Sequence, residues 1–234
     1  MKVEIWSDIM CPFCYIGKRR FENALEQFPD KENIEIQWRS FQLAPELKTD
    51  TNKSVHEYLA EKKGWSLDYS EDVHNKMTAT AKEDGLEYNF DKAIVANSFN
   101  AHRLSHLAAG YNLQHAAEER LFAAYFTEGR NIDDNETLIL LGKDIGLPEK
   151  EVRNMLDSDL YTKEVQQDIY LAQQVGVRGI PFFVLDNKYA VSGAQATETF
   201  TGALEKAWKE SENKMNPISL NKTETDSCAI DGDC

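Results

Sequence analysis

The amino-acid sequence predicts an α/β fold that carries a large all-helical insertion. Apolar and polar side chains alternate near both ends of the chain, as they do in strands, whereas the middle repeats its apolar residues at helical spacing. Of the 234 residues, 41% are hydrophobic and 28% are charged, so the chain is apolar enough to fold and longer than the usual single domain. An insertion into one α/β domain accounts for these observations together.

The first part of the chain has the order strand, helix, strand. The stretch KVEIW alternates over residues 2–6. Pro12 suits the first turn of a helix, because a proline there lacks only an amide that has no partner within the helix. Apolar residues continue at helical spacing to about residue 28, and a second alternating stretch covers residues 33–43. This order predicts a βαβ unit.

The last part of the chain has the order strand, strand, helix. Residues 180–186 and 188–193 are typical of two strands that join at Asp186 and Asn187. A helix is predicted over residues 197–214. The apolar face of this helix carries Phe200, Leu204 and Trp208.

Between these two parts, residues 53–175 have a helical period, and glycines fall near the helix ends, as left-handed caps favour. These glycines are Gly64, Gly85, Gly110, Gly129, Gly146 and Gly176. The candidate N-caps are Ser54, Ser70, Asp91 and Asp134 or Asn135. We predict one domain from residues 1–52 and 176–212, an inserted helical domain over residues 53–175, and a mobile tail over residues 213–234.

The charge of the chain excludes two classes of partner. Its formal net charge is -14, from 40 acidic and 26 basic residues, whereas a phosphate backbone or an anionic membrane attracts a basic face. No apolar run is long enough to span a bilayer. The N-terminal residues contain no export signal, so we expect a cytoplasmic protein, and thiol buffers there keep cysteines reduced.

Cys11 and Cys14 stand at the junction between the first strand and the first helix. A helix N-terminus stabilises a thiolate through its unpaired amides and its dipole, which favours Cys11 as a nucleophile. The C-P-F-C spacing also allows the two sulfurs to form a disulfide across the first turn. Redox chemistry is the favoured interpretation, while a metal site and an unreactive structural pair stay open as alternatives.

A second motif, GIPFFVL, begins at Gly179. A proline directly before an apolar strand indicates a turn that fixes Pro181, and a plain strand-start proline is the alternative. The order of the strands and helices, C-P-F-C and GIPFFVL together resemble the thioredoxin superfamily with the DsbA-type insertion, over about residues 1–212. SDIMCPFCYIGKRRFE and NSFNAHRLSHLA resemble its FrnE-like cytosolic branch, which is related to 2-hydroxychromene-2-carboxylate isomerases and kappa-class glutathione transferases.

This resemblance implies that Cys11 attacks, that Cys14 resolves and that Pro181 is a cis-proline packed against them. It also implies that the backbone at Ile180 pairs with an extended substrate. Phe13 stands where DsbA has a histidine that stabilises the thiolate, so strong oxidising power is not implied, and Phe13 would form an apolar lip.

The segment NSFNAHRLSHLA contains further candidate residues. The resemblance implies that Asn97, His102 and Arg103 face the cysteines and contact substrate or glutathione, whereas a packed, capped helix is the alternative. His102 and His106 share a helix face, but Arg103 stands where a zinc helix needs a glutamate, so we predict no metal. Asp8 would oppose the Cys11 thiolate or carry its proton.

The C-terminal segment holds a second pair, Cys228 and Cys234, six residues apart. This pair could relay electrons from Cys11 and Cys14, hold a soft metal ion or be passive. The resemblance favours the relay, although the family's usual spacing is one residue shorter.

The sequence therefore predicts a cytoplasmic disulfide oxidoreductase, a monomer or a homodimer, that acts on disulfide- or thiol-containing proteins or small thiols. It requires no cofactor, and glutathione could be its redox partner. Two alternatives stay open. One is a glutathione-dependent isomerase or transferase, whose relatives have serine at position 11, and the other is a redox sensor that uses the tail cysteines.

Overall fold

The computed structural model describes residues 1–215, and the side chains of residues 1–211. The strands are β1 (Lys2–Ser7), β2 (Glu35–Ser40), β3 (Asp50–Ser54), β4 (Ile94–Val95), β5 (Phe182–Leu185) and β6 (Tyr189–Ser192). The helices are α1 (Pro12–Glu26), α2 (Val55–Lys63), α3 (Leu67–Glu83), α4 (Phe99–Ala109), α5 (Gln114–Phe122), α6 (Asn135–Asp144), α7 (Glu149–Leu156), α8 (Thr162–Val175) and α9 (Thr197–Met215). Within residues 1–215, no helix is long and apolar enough to cross a membrane.

A four-stranded mixed sheet with the order β2-β1-β5-β6 joins the two ends of the chain. Strand β1 is parallel to β2 and antiparallel to β5, so Ile5 lies opposite both Trp38 and Phe183. The β5–β6 hairpin turns at Asp186 and Asn187, whose φ angles of 50° and 55° are those that a two-residue hairpin turn requires. The predicted βαβ unit and the predicted hairpin are confirmed.

An aromatic cluster packs α1 and α9 onto the sheet. The rings of Phe21 in α1, Phe183 in β5 and Phe200 in α9 lie 4.6 to 5.8 Å apart between centroids, and all three side chains are buried. Burying a phenylalanine side chain contributes about 1.5–3 kcal/mol. This cluster packs α1, the helix that carries Cys14 and begins directly after Cys11, against the sheet.

The inserted segment is mostly helical, but it is not all-helical as predicted. Strands β3 and β4 form a two-stranded antiparallel ribbon in which Asp50 pairs with Val95 and Ser54 with Ile94. The sequence DTNKS of β3 has no apolar alternation, so no periodic signal marks it. The boundaries that we predict for the domains stay a prediction.

The helix caps follow local chemistry at most of the predicted positions. Ser54 forms a capping box with Glu57 at the start of α2, and Asp134 caps α6. The caps predicted at Ser70 and Asp91 are wrong, because Ser66 caps α3 and Ser70 lies inside that helix. Gly110 is also wrong as a left-handed cap, since its φ is -63°. The other predicted glycines have positive φ: Gly64, Gly85, Gly129, Gly146 and Gly176.

Asp168 in α8 ties the inserted segment to the sheet. Its side chain is 2% exposed and accepts hydrogen bonds from Arg39 Nη1 at 2.8 Å and from the Ser40 amide at 3.0 Å. The Nε2 atom of His106 in α4 lies 3.0 Å from the same carboxylate, and the Trp6 indole donates to the Asp168 carbonyl at 3.0 Å. The Asp168 carboxylate therefore joins α8 to β2 and α4, and the backbone carbonyl of the same residue adds a contact to β1.

We predict that Asp168→Asn lowers the free energy of unfolding by about 1.5–3 kcal/mol, because it removes a charged hydrogen-bond acceptor from Arg39 and the Ser40 amide, while Arg39 keeps its ion pair with Glu4. Urea unfolding followed by tryptophan fluorescence measures the change. Glu164→Gln is the control, since it removes an exposed charge one turn earlier on the same helix and should change the stability by less than about 1 kcal/mol. Equal effects of the two substitutions would contradict the role of Asp168.

Candidate functional site

Cys11 and Cys14 lie in the first turn of α1, with Cys11 as its N-cap. The Cys11 amide donates to the Asp8 carbonyl at 2.9 Å, and the Cys14 amide donates to the Cys11 carbonyl at 2.9 Å. Both residues are free cysteines, 4% and 1% exposed. The first turn of α1 contains no acidic residue, so the helix dipole favours negative charge on the Cys11 sulfur.

The two thiols are not equivalent. Burial raises the pKa of the Cys14 thiol well above its usual range, and the hydrogen bond and charge of Cys11 raise it further. The Asp8 amide and the Ser7 hydroxyl offset only part of this rise. Cys14 therefore keeps its proton at neutral pH and can donate it toward the sulfur of Cys11. The two thiols therefore differ in their setting, since Cys11 caps the helix and Cys14 is held protonated.

The loop before β5 packs directly on this pair. The peptide bond between Ile180 and Pro181 is cis, and the Ile180 carbonyl oxygen lies 3.9 Å from the Cys11 sulfur. Helix α1 approaches the loop closely because residue 17 is glycine. A Cβ placed on Gly17 would lie only 2.7 Å from Cγ of Pro181. Gly17 is a site residue that the sequence analysis missed, although a glycine inside a helical pattern was the available signal.

A cavity of about 500 Å³ opens beside Cys11. Its walls come from α1, α2, α3 and the loop before β5, and they are mostly apolar. Phe13 and Ile180 line it together with Cys11, and Phe13 is 47% exposed. The structure thus brings these two predicted substrate-binding residues together with the nucleophile.

Tyr88 supports the start of α1 and was also missed. Its hydroxyl donates to the Pro12 carbonyl at 2.6 Å, and its ring stacks on Phe126 at 4.6 Å. Burial raises the pKa of Tyr88, and charge at Cys11 and Cys14 raises it further, so Tyr88 stays a neutral donor. No sequence pattern links residue 88 to residue 12, because the contact spans two separate elements.

A pair of imidazoles lies at the cavity wall. Nδ1 of His74, which lines the cavity, is 2.7 Å from Nδ1 of His56. Nε2 of His56 is 3.3 Å from the Asp91 carboxylate. Burial lowers the pKa of His74 to about 4, with a further contribution from the charge of His56. His74 is therefore uncharged at neutral pH.

Asp8 and His102 form a buried pair behind the cysteine turn. Asp8 is fully buried, and its carboxylate accepts hydrogen bonds from the amides of Met10 at 3.3 Å and Leu43 at 2.7 Å. Nε2 of His102 lies 3.4 Å from the same carboxylate. Burial alone would lower the pKa of His102, but Asp8 together with the Glu118 charge and the Phe41 backbone raises it. The pair holds the turn that presents Cys11.

Asn97 and Arg103 do not reach the cavity, contrary to the expectation that they face the cysteines. Asn97 Nδ2 donates to the carbonyls of Pro45 at 3.2 Å and Leu47 at 2.8 Å. The Arg103 guanidinium donates to the Leu160 carbonyl at 2.8 Å, to Asn100 Oδ1 at 2.9 Å and to the carbonyls of Met155 and Ser158. Successive helix residues point about 100° apart, so His102 and Arg103 cannot face the same side.

The predicted accessory pair, Cys228 and Cys234, lies outside the described residues. Among residues 1–215, no group of three or more His, Cys, Asp and Glu side chains is placed to hold a metal ion. His102 and His106 bind different carboxylates, those of Asp8 and Asp168.

Comparison with known proteins places this geometry among thioredoxin-like folds. The family model described as DSBA-like thioredoxin domain matches residues 2–205. The crystal structure of a probable DsbA oxidoreductase from Streptomyces coelicolor is 39% identical, with a TM-score of 0.85, and the match covers 99% of this chain and 100% of that chain.

Two other solved structures share the fold at lower identity. A 2-hydroxychromene-2-carboxylate isomerase is 17% identical, with a TM-score of 0.67 over 92% of this chain and 99% of that chain. The cytosolic disulfide reductase DsbM from Pseudomonas aeruginosa is 15% identical, with a TM-score of 0.62 over 92% of this chain and 100% of that chain, and it has also been solved with GSH.

The contact between Gly17 and Pro181 yields a prediction. Gly17→Ala should lower the free energy of unfolding by about 1–3 kcal/mol, because the new methyl group must push α1 away from the loop. Gly202→Ala is the matched control in α9, where an added Cβ meets nothing within 4 Å, and it should raise the stability by about 0.5–1 kcal/mol. Urea unfolding compares the two variants, and stabilisation by both would show that the approach is not tight.

The low pKa of His74 predicts a loss of stability in acid. His74 titrates near 6.5 when unfolded and near about 4 when folded, so the unfolded chain binds the proton first. The contribution of His74 is intact above pH 6.5 and is lost as the pH falls toward 4. Between pH 7 and pH 5, His74→Gln should therefore lose about 1–2 kcal/mol less stability than the natural protein. Identical pH dependence in urea unfolding would contradict the burial of a neutral imidazole.

Proposed function

Because the chain belongs to the DSBA-like thioredoxin domain family, we propose that it is a thiol–disulfide oxidoreductase in which Cys11 attacks and Cys14 resolves. The fold and the family that the sequence predicts are confirmed by the same match. The observation that carries the proposal is the inequality of the two thiols. Cys11 caps a helix beside a cavity, whereas Cys14 is buried and held protonated behind it.

The proposed reaction is two successive exchanges. The Cys11 thiolate attacks one sulfur of a substrate disulfide, that S–S bond breaks, and the released sulfur leaves as a thiolate that takes a proton from solvent. Cys14 then loses its proton and attacks the Cys11 sulfur of the mixed disulfide. The second substrate thiol leaves, so the substrate gains two electrons and the Cys11–Cys14 disulfide holds the oxidised state. The reverse sequence oxidises a dithiol.

The loop before β5 supports the approach of substrate in this reaction. The Ile180 carbonyl lies beside the Cys11 sulfur, and Pro181 has no N–H with which to compete for it. Phe13 and Ile180 line the cavity opening that a substrate reaches first. We therefore assign substrate contact to Phe13 and Ile180, and a positioning role to Gly17.

The proposed setting is the cytoplasm, where a thiol pool keeps the pair reduced and the enzyme acts as a reductase or isomerase. The structural neighbour DsbM, named a cytosolic disulfide reductase and solved with GSH, supports glutathione as the thiol that regenerates the pair. The proposed clients are disulfide-bonded proteins or small disulfides.

The cavity supports a second candidate function. A cavity of about 500 Å³ with apolar walls has the size of a small-molecule site, as a glutathione-dependent isomerase or transferase would require. The isomerase among the structural neighbours shares this fold. The presence of Cys14 favours disulfide exchange, because an isomerase needs no resolving thiol.

Dithiothreitol and glutathione reduce insulin disulfides slowly without a catalyst. We predict that Cys11→Ser lowers the rate of this reduction to the uncatalysed rate, because the attacking thiolate is lost. Turbidity of the precipitating insulin B chain measures this rate. Cys14→Ser should retain the first attack, so mass spectrometry should find it linked to insulin through Cys11.

Two outcomes would contradict the proposed roles. Catalysis by Cys11→Ser at the natural rate would remove Cys11 as the nucleophile. Linkage of insulin to Cys14 in Cys11→Ser, with no linkage to Cys11 in Cys14→Ser, would reverse the assignment. Glutathione conjugation or isomerisation that survives Cys14→Ala, without disulfide exchange in the natural protein, would favour the second candidate function.

A further inference from the structure

The face of α2 toward the cavity ends in two lysines. Val55, Tyr58 and Leu59 line the cavity first, and one turn later Lys62 and Lys63 line it at the C-terminal end of the helix. These positions are three and four residues apart, so they share one helix face. The side of the cavity formed by α2 therefore changes from apolar to basic along the helix.

The remaining walls near the thiol are apolar or aromatic. They include Met10 and Phe13 beside Cys11, and Phe90 and Phe126 from the inserted segment. Such a surface offers few hydrogen-bond partners to a polar ligand. It suits a molecule with an aromatic or aliphatic body.

Apart from the Cys11 sulfur itself, the charged side chains that line the cavity are those of Lys62 and Lys63. Among the described residues no Asp or Glu side chain lines it, and His74 is uncharged at neutral pH. This is unexpected for a chain with a formal net charge of -14. An anion that enters the cavity thus meets two ammonium groups and no lining carboxylate.

Neither lysine has a carboxylate partner among the described residues. Lys62 Nζ donates to the Tyr58 hydroxyl at 3.1 Å and lies 5.4 Å from the centre of that ring. The two acidic residues of α2 have other partners, since Glu61 pairs with Lys53 at 2.6 Å and Glu57 caps the helix at Ser54. The charges of Lys62 and Lys63 are therefore available to a ligand.

We propose that this cavity binds small organic disulfides or thiols with an apolar body and an anionic group, which Lys62 and Lys63 hold while the sulfur faces Cys11. This inference rests on the proposed thiol–disulfide function and names its preferred substrate class. The volume of about 500 Å³ matches a small molecule. Glutathione disulfide has the anionic groups but lacks the apolar body, so it is the poorer occupant.

The test uses two aromatic disulfides that differ in charge, and it compares each variant with the natural protein so that their difference in size cancels. Dithiobis(nitrobenzoate) carries a carboxylate on each ring, and dithiodipyridine is neutral at pH 7. In each case the Cys11 thiolate attacks one probe sulfur, the probe S–S bond breaks and one aromatic thiolate leaves. Cys14 then releases the second aromatic thiolate and a proton as the Cys11–Cys14 disulfide forms. Stopped-flow absorbance of the released thiolates gives both rate constants.

The measured quantity is the ratio of the rate constant for the anionic probe to that for the neutral probe. It is measured in the reduced full-length protein with Cys228→Ser and Cys234→Ser, so that only Cys11 and Cys14 can react.

The double variant Lys62→Met, Lys63→Met should lower this ratio about tenfold, because it removes two exposed ammonium groups that attract the anionic probe. The matched control is Lys76→Met, Lys82→Met, which removes two exposed charges from α3 that do not line the cavity. It should change the ratio less than twofold.

Two results would overturn the inference. An unchanged ratio in the Lys62 and Lys63 variant would mean that these lysines do not hold the anion. An equal fall in the control would mean that overall charge, and not the cavity, sets the preference. Failure of the proposed function is a different observation: with both tail cysteines replaced (Cys228→Ser, Cys234→Ser), the protein would then release only one aromatic thiolate per molecule from the neutral probe.

Discussion

The close packing of α1 on the loop before β5 is the contact on which the site depends. Because Gly17 has no Cβ, α1 packs closer to Pro181 than any other residue at this position would allow. In this packing the Cys11 sulfur lies 3.9 Å from the Ile180 carbonyl oxygen. Cys11, which we propose as the nucleophile, the loop before β5 and the cavity meet at this one junction. A displacement of α1 would alter the geometry of all three together. The site therefore depends on the contacts that keep α1 in place.

Two sets of contacts hold α1 by different means. On the side of the sheet, Phe21 is packed in the aromatic cluster with β5 and α9. On the side of the inserted segment, Lys18 is 1% exposed and pairs with Glu22 at 2.6 Å and with Glu119 of α5. Tyr15 donates to Glu119 at 2.7 Å. Burial alone would raise the pKa of Glu119. Lys18, with Tyr15 and Arg19, lowers this pKa instead, so Glu119 is ionised and gives the buried lysine a charged partner.

Local patterns predicted the parts of this arrangement that local chemistry determines. A strand, a cysteine turn and Pro12 predict the start of α1, and the Asp186–Asn187 dipeptide predicts the hairpin, because each feature depends on a few neighbouring residues. Tyr88 and the cavity could not be predicted this way, since they arise where α1 meets residues far away in the chain. Arg103 was misplaced because a motif does not state which face of a helix each residue occupies.

The central claim is that position separates the two thiols into an attacking and a resolving sulfur: Cys11 caps α1 and lines the cavity, and Cys14 does not line it. Alkylation of the reduced, folded protein by iodoacetamide at pH 7, with mass spectrometry of each cysteine over time, tests it most directly. We expect Cys11 to be alkylated while Cys14 stays unmodified until the protein is unfolded, because Cys11 lines the cavity whereas Cys14 lies behind it and keeps its proton. Alkylation of Cys14 at a rate equal to or above that of Cys11 would contradict the account.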